Sequence, residues 1–128
     1  MNSSEPSAAE AHSNNKQTQD IEHQFTRLMR YLDSCRQQRV LVTYIETADA
    51  IEVTAPLRIH KVALLLEALM EYDYKNDQPQ RAALVVSRNR SGLPAKGFFL
   101  KAQTLGLMQT ASDEDFHKQC LDRLFGRK

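Results

Sequence analysis

The sequence predicts a mainly α domain with a small β component. Three observations carry that reading. Apolar residues recur at helical spacing over 21–35, 59–70 and 116–125, with charges between them. Only 82–87 has the β-branched content of a strand. Turn-forming Gly, Pro, Asn and Ser gather in a single stretch, 88–97.

Taken in order, residues 1–19 hold no large apolar side chain after Met1. Such a segment cannot bury enough surface to offset the entropy of ordering, so a disordered tail is expected there. The domain then covers 20–128. Asp20 is placed to cap a helix in which Ile21, Phe25, Leu28, Met29, Leu32 and Cys35 form one stripe to about Gln38. Val40, Leu41 and Val42 lead to Thr43, and Thr43-Tyr-Ile-Glu46 has the spacing of a capping box opening a short helix over 44–50. Pro56 suits the first turn of the next helix, 56–74, whose stripe is Ile59, Val62, Ala63, Leu66, Leu69 and Met70. That helix carries Arg58, His60 and Lys61 at its start and Glu71 and Asp73 at its end, against the helix dipole at both ends. A loop, the strand 82–87 and the turn-rich stretch 88–97 follow. A helix over 98–105 should stop at Gly106, and a last helix should be capped by Ser112 and end at Gly126.

Hydrophobic residues make up 41% of the chain and charged residues 26%, ordinary for one globular domain. No run approaches the roughly 18 apolar residues of a membrane span, so no membrane partner is expected. The N-terminus lacks a basic start followed by an apolar run, which points to the cytoplasm. Cys35 and Cys120 lie on helical stripes and read as small buried hydrophobes. Neither they nor His12, His23, His60 and His117 have zinc-site spacing, so no metal and no cofactor is expected. Glu67 and Glu71, four residues apart, read as a solvated acidic face. The net charge of +1 is unevenly spread: 41–80 has three basic and seven acidic residues, and 81–101 has five basic and none acidic.

Two helices on a short connector, then a strand, then a basic glycine-containing loop, is the order of a winged helix-turn-helix, here with an added N-terminal helix and C-terminal helices. In such a domain the start of the second helix reads a groove and the wing holds phosphates. Arg58, His60 and Lys61 would then contact the groove, Arg88, Arg90 and Lys96 the backbone, with Arg81 and Lys101 adding charge. The expected partner is nucleic acid, DNA rather than RNA, bound without catalysis, with a regulatory role open. A protein-interaction adaptor on the same scaffold is the alternative, anchored by Phe98 or Phe99 if one ring is exposed. A homodimer through 21–38 is also open. A third alternative, an enzyme, would need a pocket lined by Tyr44, His60, Arg81 and Ser91.

The chain also resembles a family of small bacterial proteins of unassigned function. The resemblance rests on Val42-Thr43-Tyr44, Ala48, Pro79-x-x-Ala82-x-Leu84-Val85-Val86 and Ser91-Gly92-Leu93-Pro94-x-x-Gly97-Phe98, over about 40–106. Ala95 stands where that pattern commonly has glycine, which should tighten the loop. The pattern in turn resembles the winged-helix domain of DNA alkyltransferase-like proteins. Those carry a Pro-Cys-His-Arg or Pro-Trp-His-Arg box, whereas 79–86 here holds neither Cys nor His. Alkyl transfer needs a thiolate activated by a base, so the resemblance implies the scaffold and not the reaction.

Overall fold

The computed structural model describes residues 4–109 and 112–127, with side chains from residue 21 onward. The elements are α1 (Ser4–Gln38), β1 (Val42–Thr43), α2 (Tyr44–Ala50), α3 (Arg58–Lys75), β2 (Val85–Val86), α4 (Lys96–Thr104) and α5 (Asp113–Phe125). Short 3-10 turns cover Arg81–Leu84 and Arg88–Arg90. The mainly α class with a small β component is therefore what the chain adopts.

α1 begins at Ser4, ahead of Asp20, so Asp20 is not its N-cap. The expected tail, 1–19, falls within 1–20, whose side chains lie outside the described residues. The stripe is buried from Leu28 onward: Leu28, Leu32 and Cys35 lie in the chain's own core and Phe25 and Met29 pack against it, whereas Ile21, expected on the same stripe, is exposed because it lies ahead of the point where the core begins. Arg39, in left-handed conformation (φ 58°), ends it, and its N–H bonds the Arg36 carbonyl at 3.1 Å.

The capping box forms as its spacing demands. Thr43 Oγ1 accepts from Glu46 N at 3.1 Å, and Glu46 Oε1 accepts from Thr43 N at 2.8 Å. α2 then packs on α3. Pro56 stays outside α3, which starts two residues later behind left-handed Leu57. The buried face of α3 is Val62, Leu65, Leu66, Leu69, Met70 and, unexpectedly for a charged residue, Asp73.

The first half of the expected strand over 82–87 is a 3-10 turn; only Val85 and Val86 pair, parallel to β1, as Val42 with Val85 and Thr43 with Val86. Ala82, Ala83, Leu84 and Val85 are all buried, and the turn packs against α1, α3 and α5. A short apolar run surrounded on all sides has no solvent face to impose a two-residue period, so its β-branched content did not decide its conformation. Among the described residues no antiparallel hairpin forms a wing.

α4 starts at Lys96, two residues before the expected Phe98. Phe98, Phe99 and Phe116 pack edge-on and tilted in the core, with centroids 5.1–6.4 Å apart. Ser112 Oγ accepts from Asp115 N at 3.1 Å, and Gly126 (φ 68°) closes α5 in left-handed conformation. No helix among the described residues is long and apolar enough to cross a membrane.

Candidate functional site

α3 and the loop after β2 do meet. A cleft of about 310 Å³ lies between them, lined by Thr43, Tyr44, Ile45, Ile59, Ala63, Val86, Ser87, Arg88, Asn89 and Ala95. The loop wall is held by its own bonds: Ser87 N donates to the Leu93 carbonyl at 2.8 Å, and Ser87 Oγ caps the 3-10 turn at Asn89 N. Ser91 (φ 54°) and Gly92 (φ 85°) turn the chain back in left-handed conformation. Ala95 takes extended φ and ψ (−65°, 161°), which any residue adopts, so the missing glycine costs nothing there. Its N–H donates to the Tyr44 hydroxyl at 3.0 Å, joining the loop to α2. Burial raises the Tyr44 phenol pKa, and that Ala95 N–H partly offsets the rise.

The predicted cations do not line this cleft together. At about 100° per residue, Lys61 sits about 160° around α3 from Ile59. Its Nζ bonds the Thr54 carbonyl at 3.0 Å. Arg58 likewise turns to the connector, with Nε on the Val53 carbonyl (2.7 Å) and a terminal nitrogen on Asp49 (2.5 Å). Both residues therefore serve the turn between α2 and α3, which answers why a helix start carries them against its dipole.

Arg81 is further from a ligand role. Its Nη2 and Nε bond the two oxygens of Asp73, which is fully buried, at 2.7 and 3.2 Å, and its Nη1 reaches Asp33 on α1 at 3.1 Å. Burial opposes its charge, but Asp73 and then Asp33 outweigh burial, and the pKa is raised. Arg90 bonds the Pro94 carbonyl and Asp113 (3.2 and 3.3 Å) and lies over the Phe99 ring at 5.5 Å. Lys101 pairs with Glu71, so the acidic face expected of Glu67 and Glu71 is half neutralised by α4. That contact holds the Glu71 carboxyl below its ordinary range. His60, Arg88 and Lys96 remain exposed and make no ion pair or side-chain hydrogen bond among the described residues; of these, only Arg88 lines the cleft.

What sequence reasoning missed is the cleft's apolar wall. Helical period puts Ile59 on the core stripe, yet it is 51% exposed. It lies one turn ahead of Val62, the first buried residue of α3, so the stripe's register carries it past the end of the core. The expected aromatic anchor is absent, because Phe98 and Phe99 are both buried. Tyr44 and Arg81 line different clefts, so the pocket imagined for an enzyme is not assembled from them. Both cysteines are buried free thiols, and burial raises their pKa, that of Cys120 to about 12. No group of three His, Cys, Asp or Glu able to hold a metal occurs among the described residues.

Compared with known proteins, the chain matches no family model, no curated protein and no solved structure.

Proposed function

We propose that this chain is a non-catalytic adaptor whose cleft between α3 and the 87–95 loop takes an apolar side chain of a protein partner. The supporting observation is the half-exposed Ile59, which lines the cleft together with Ile45, Ala63, Val86 and Arg88. Covering one aliphatic side chain is worth about 1.5–3 kcal/mol, enough to anchor a short segment with help from its neighbours. Arg88 makes acidic neighbours favourable on the partner. Peptide display against the chain should enrich an aliphatic or aromatic residue beside Asp or Glu. Binding of the enriched peptides should be lost in Ile59→Glu, while Leu100→Glu, at another exposed apolar position, leaves it intact. Peptides that bind the Ile59 variant as well as the original would remove the reading.

The second reading is nucleic-acid binding, with α2–α3 as a helix-turn-helix and the 87–95 loop in the place of a wing. It is favoured by Arg88, which lines the same cleft as the start of α3, with Lys96 adding exposed charge and His60 an exposed polar side chain. It is weakened by Arg58, Lys61, Arg81, Arg90 and Lys101, all engaged within the fold. Fluorescence anisotropy with labelled duplex DNA at two salt concentrations separates the readings, since phosphate contacts make affinity fall steeply with salt.

A further inference from the structure

The C-terminal ends of α1 and α5 meet across a second cleft, of about 450 Å³, that shares no lining residue with the first. Its walls include Arg36, Gln37, Arg39 and Phe125. Arg36 donates Nε to the Leu124 carbonyl at 2.7 Å, and its two terminal nitrogens have no partner among the described residues. The Arg39 guanidinium lies 5.6 Å from the centroid of the Phe125 ring and makes no hydrogen bond or ion pair among the described residues. Arg127 lies 5.3 Å from the same ring, with Nε on Asp122 at 3.0 Å. Asp33 is the one carboxylate in the lining, and Arg81 already engages it at 3.1 Å.

Cations at helix C-termini commonly serve the last carbonyls and the dipole. That accounts for Arg36, which bonds Leu124. It does not account for Arg39, whose head reaches no carbonyl. A guanidinium drawn to an aromatic face makes no hydrogen bond there, so its N–H groups stay open, and that fork fits the oxygens of a phosphate. Arg36 offers two open nitrogens and Arg39 three. Two forks lining one cleft suit a group with at least three oxygens and two negative charges better than a carboxylate.

We propose that the cleft between the ends of α1 and α5 binds a phosphate group, through the terminal nitrogens of Arg36 and the open edge of Arg39. The phosphate comes from a nucleic-acid backbone or from a small phosphate compound, and one experiment distinguishes the two. Inorganic pyrophosphate is titrated into the full chain while backbone amide and arginine Nε–H signals are followed by NMR. The Arg39 Nε–H and the amides around 36–40 and 124–127 should shift saturably. Arg39→Gln removes no hydrogen bond or ion pair among the described residues, only the contact with the Phe125 ring, and should weaken binding about tenfold, the worth of one charge-assisted contact. Arg88→Gln should leave it unchanged. A single-stranded oligonucleotide that displaces pyrophosphate, and is itself weakened by Arg39→Gln, identifies a nucleic-acid backbone as the source. Failure to displace identifies a small phosphate compound. The absence of saturable shifts, or equal binding by Arg39→Gln, overturns the proposal.

Discussion

Replacing Arg81 with Met should be among the most destabilising single changes in the chain. The substitution leaves Asp73 fully buried with its partner gone, since Arg81 supplies its backbone N–H, Nε and Nη2 to the two carboxylate oxygens. Only the backbone bond at 3.1 Å would survive. Removing one partner of a buried pair costs about 3–5 kcal/mol, because an uncompensated charge remains. Domains of this size have total stabilities of about 5–15 kcal/mol, so the loss is a large share of the whole. With a urea dependence of about 2 kcal/mol per molar, the midpoint should fall by roughly 2 M. The comparison is Asp33→Ala. Asp33 bonds the same guanidinium from an exposed position, its side chain 53% accessible, and its loss should cost at most about 1 kcal/mol. The double change Asp73→Leu with Arg81→Met removes both charges and should recover much of the loss. Urea denaturation followed by circular dichroism measures all three. Arg81→Met costing no more than Asp33→Ala would falsify the argument, and would return Arg81 to the set of cations available to a ligand.

Other consequences are as direct. His117 is buried and bonds the Ala83 carbonyl at 2.8 Å; burial, partly offset by that bond, lowers its pKa. A depressed pKa on a base means the unfolded state binds the proton more readily, so stability should be complete above the unfolded value of about 6.5 and fall as pH drops through it. Urea midpoints between about pH 7.5 and 5 should therefore decline, and His117→Gln should flatten that decline. Thr43→Ala removes the acceptor for Glu46 N and should cost about 1 kcal/mol, measured by the same denaturation; a cost near zero contradicts the cap. Cys120, with its pKa at about 12, should resist an aromatic disulfide reagent in the native protein and react once unfolded. Fast labelling at neutral pH speaks against a buried Cys120.

The parts of the fold legible in sequence were those set by local chemistry. Thr43 with Glu46, Ser112 with Asp115, and Gly126 define helix ends through partners three or four residues away, or through backbone freedom alone. The buried middles of the stripes of α1 and α3, and the stripe of α5, follow from period, but Ile21 and Ile59 at the ends of the first two are exposed. The parts that were not legible depend on distant partners. A window count left 81–101 with five unmatched cations, yet Arg81 finds Asp73 and Asp33, Arg90 finds Asp113, and Lys101 finds Glu71, all outside that window. Arg58 and Lys61 find the connector that precedes them. The order of elements brought the start of α3 beside the 88–96 loop, but it could not say which way each side chain turned. Period likewise placed Ile59 on the core face of α3, and only the point where the core begins, at Val62, exposes it.

Under the proposed function the cations at the start of α3 hold the turn before it and binding falls to the apolar cleft beside them. The most direct test of this is the salt dependence of duplex DNA binding between about 50 and 200 mM, compared in the original chain and in Arg58→Gln with Lys61→Gln. The account predicts weak binding, a slope of log affinity on log salt no steeper than about −3, and no change in that slope in the double variant. A slope near −5 or steeper that shrinks by about 2 when Arg58 and Lys61 are replaced would contradict it.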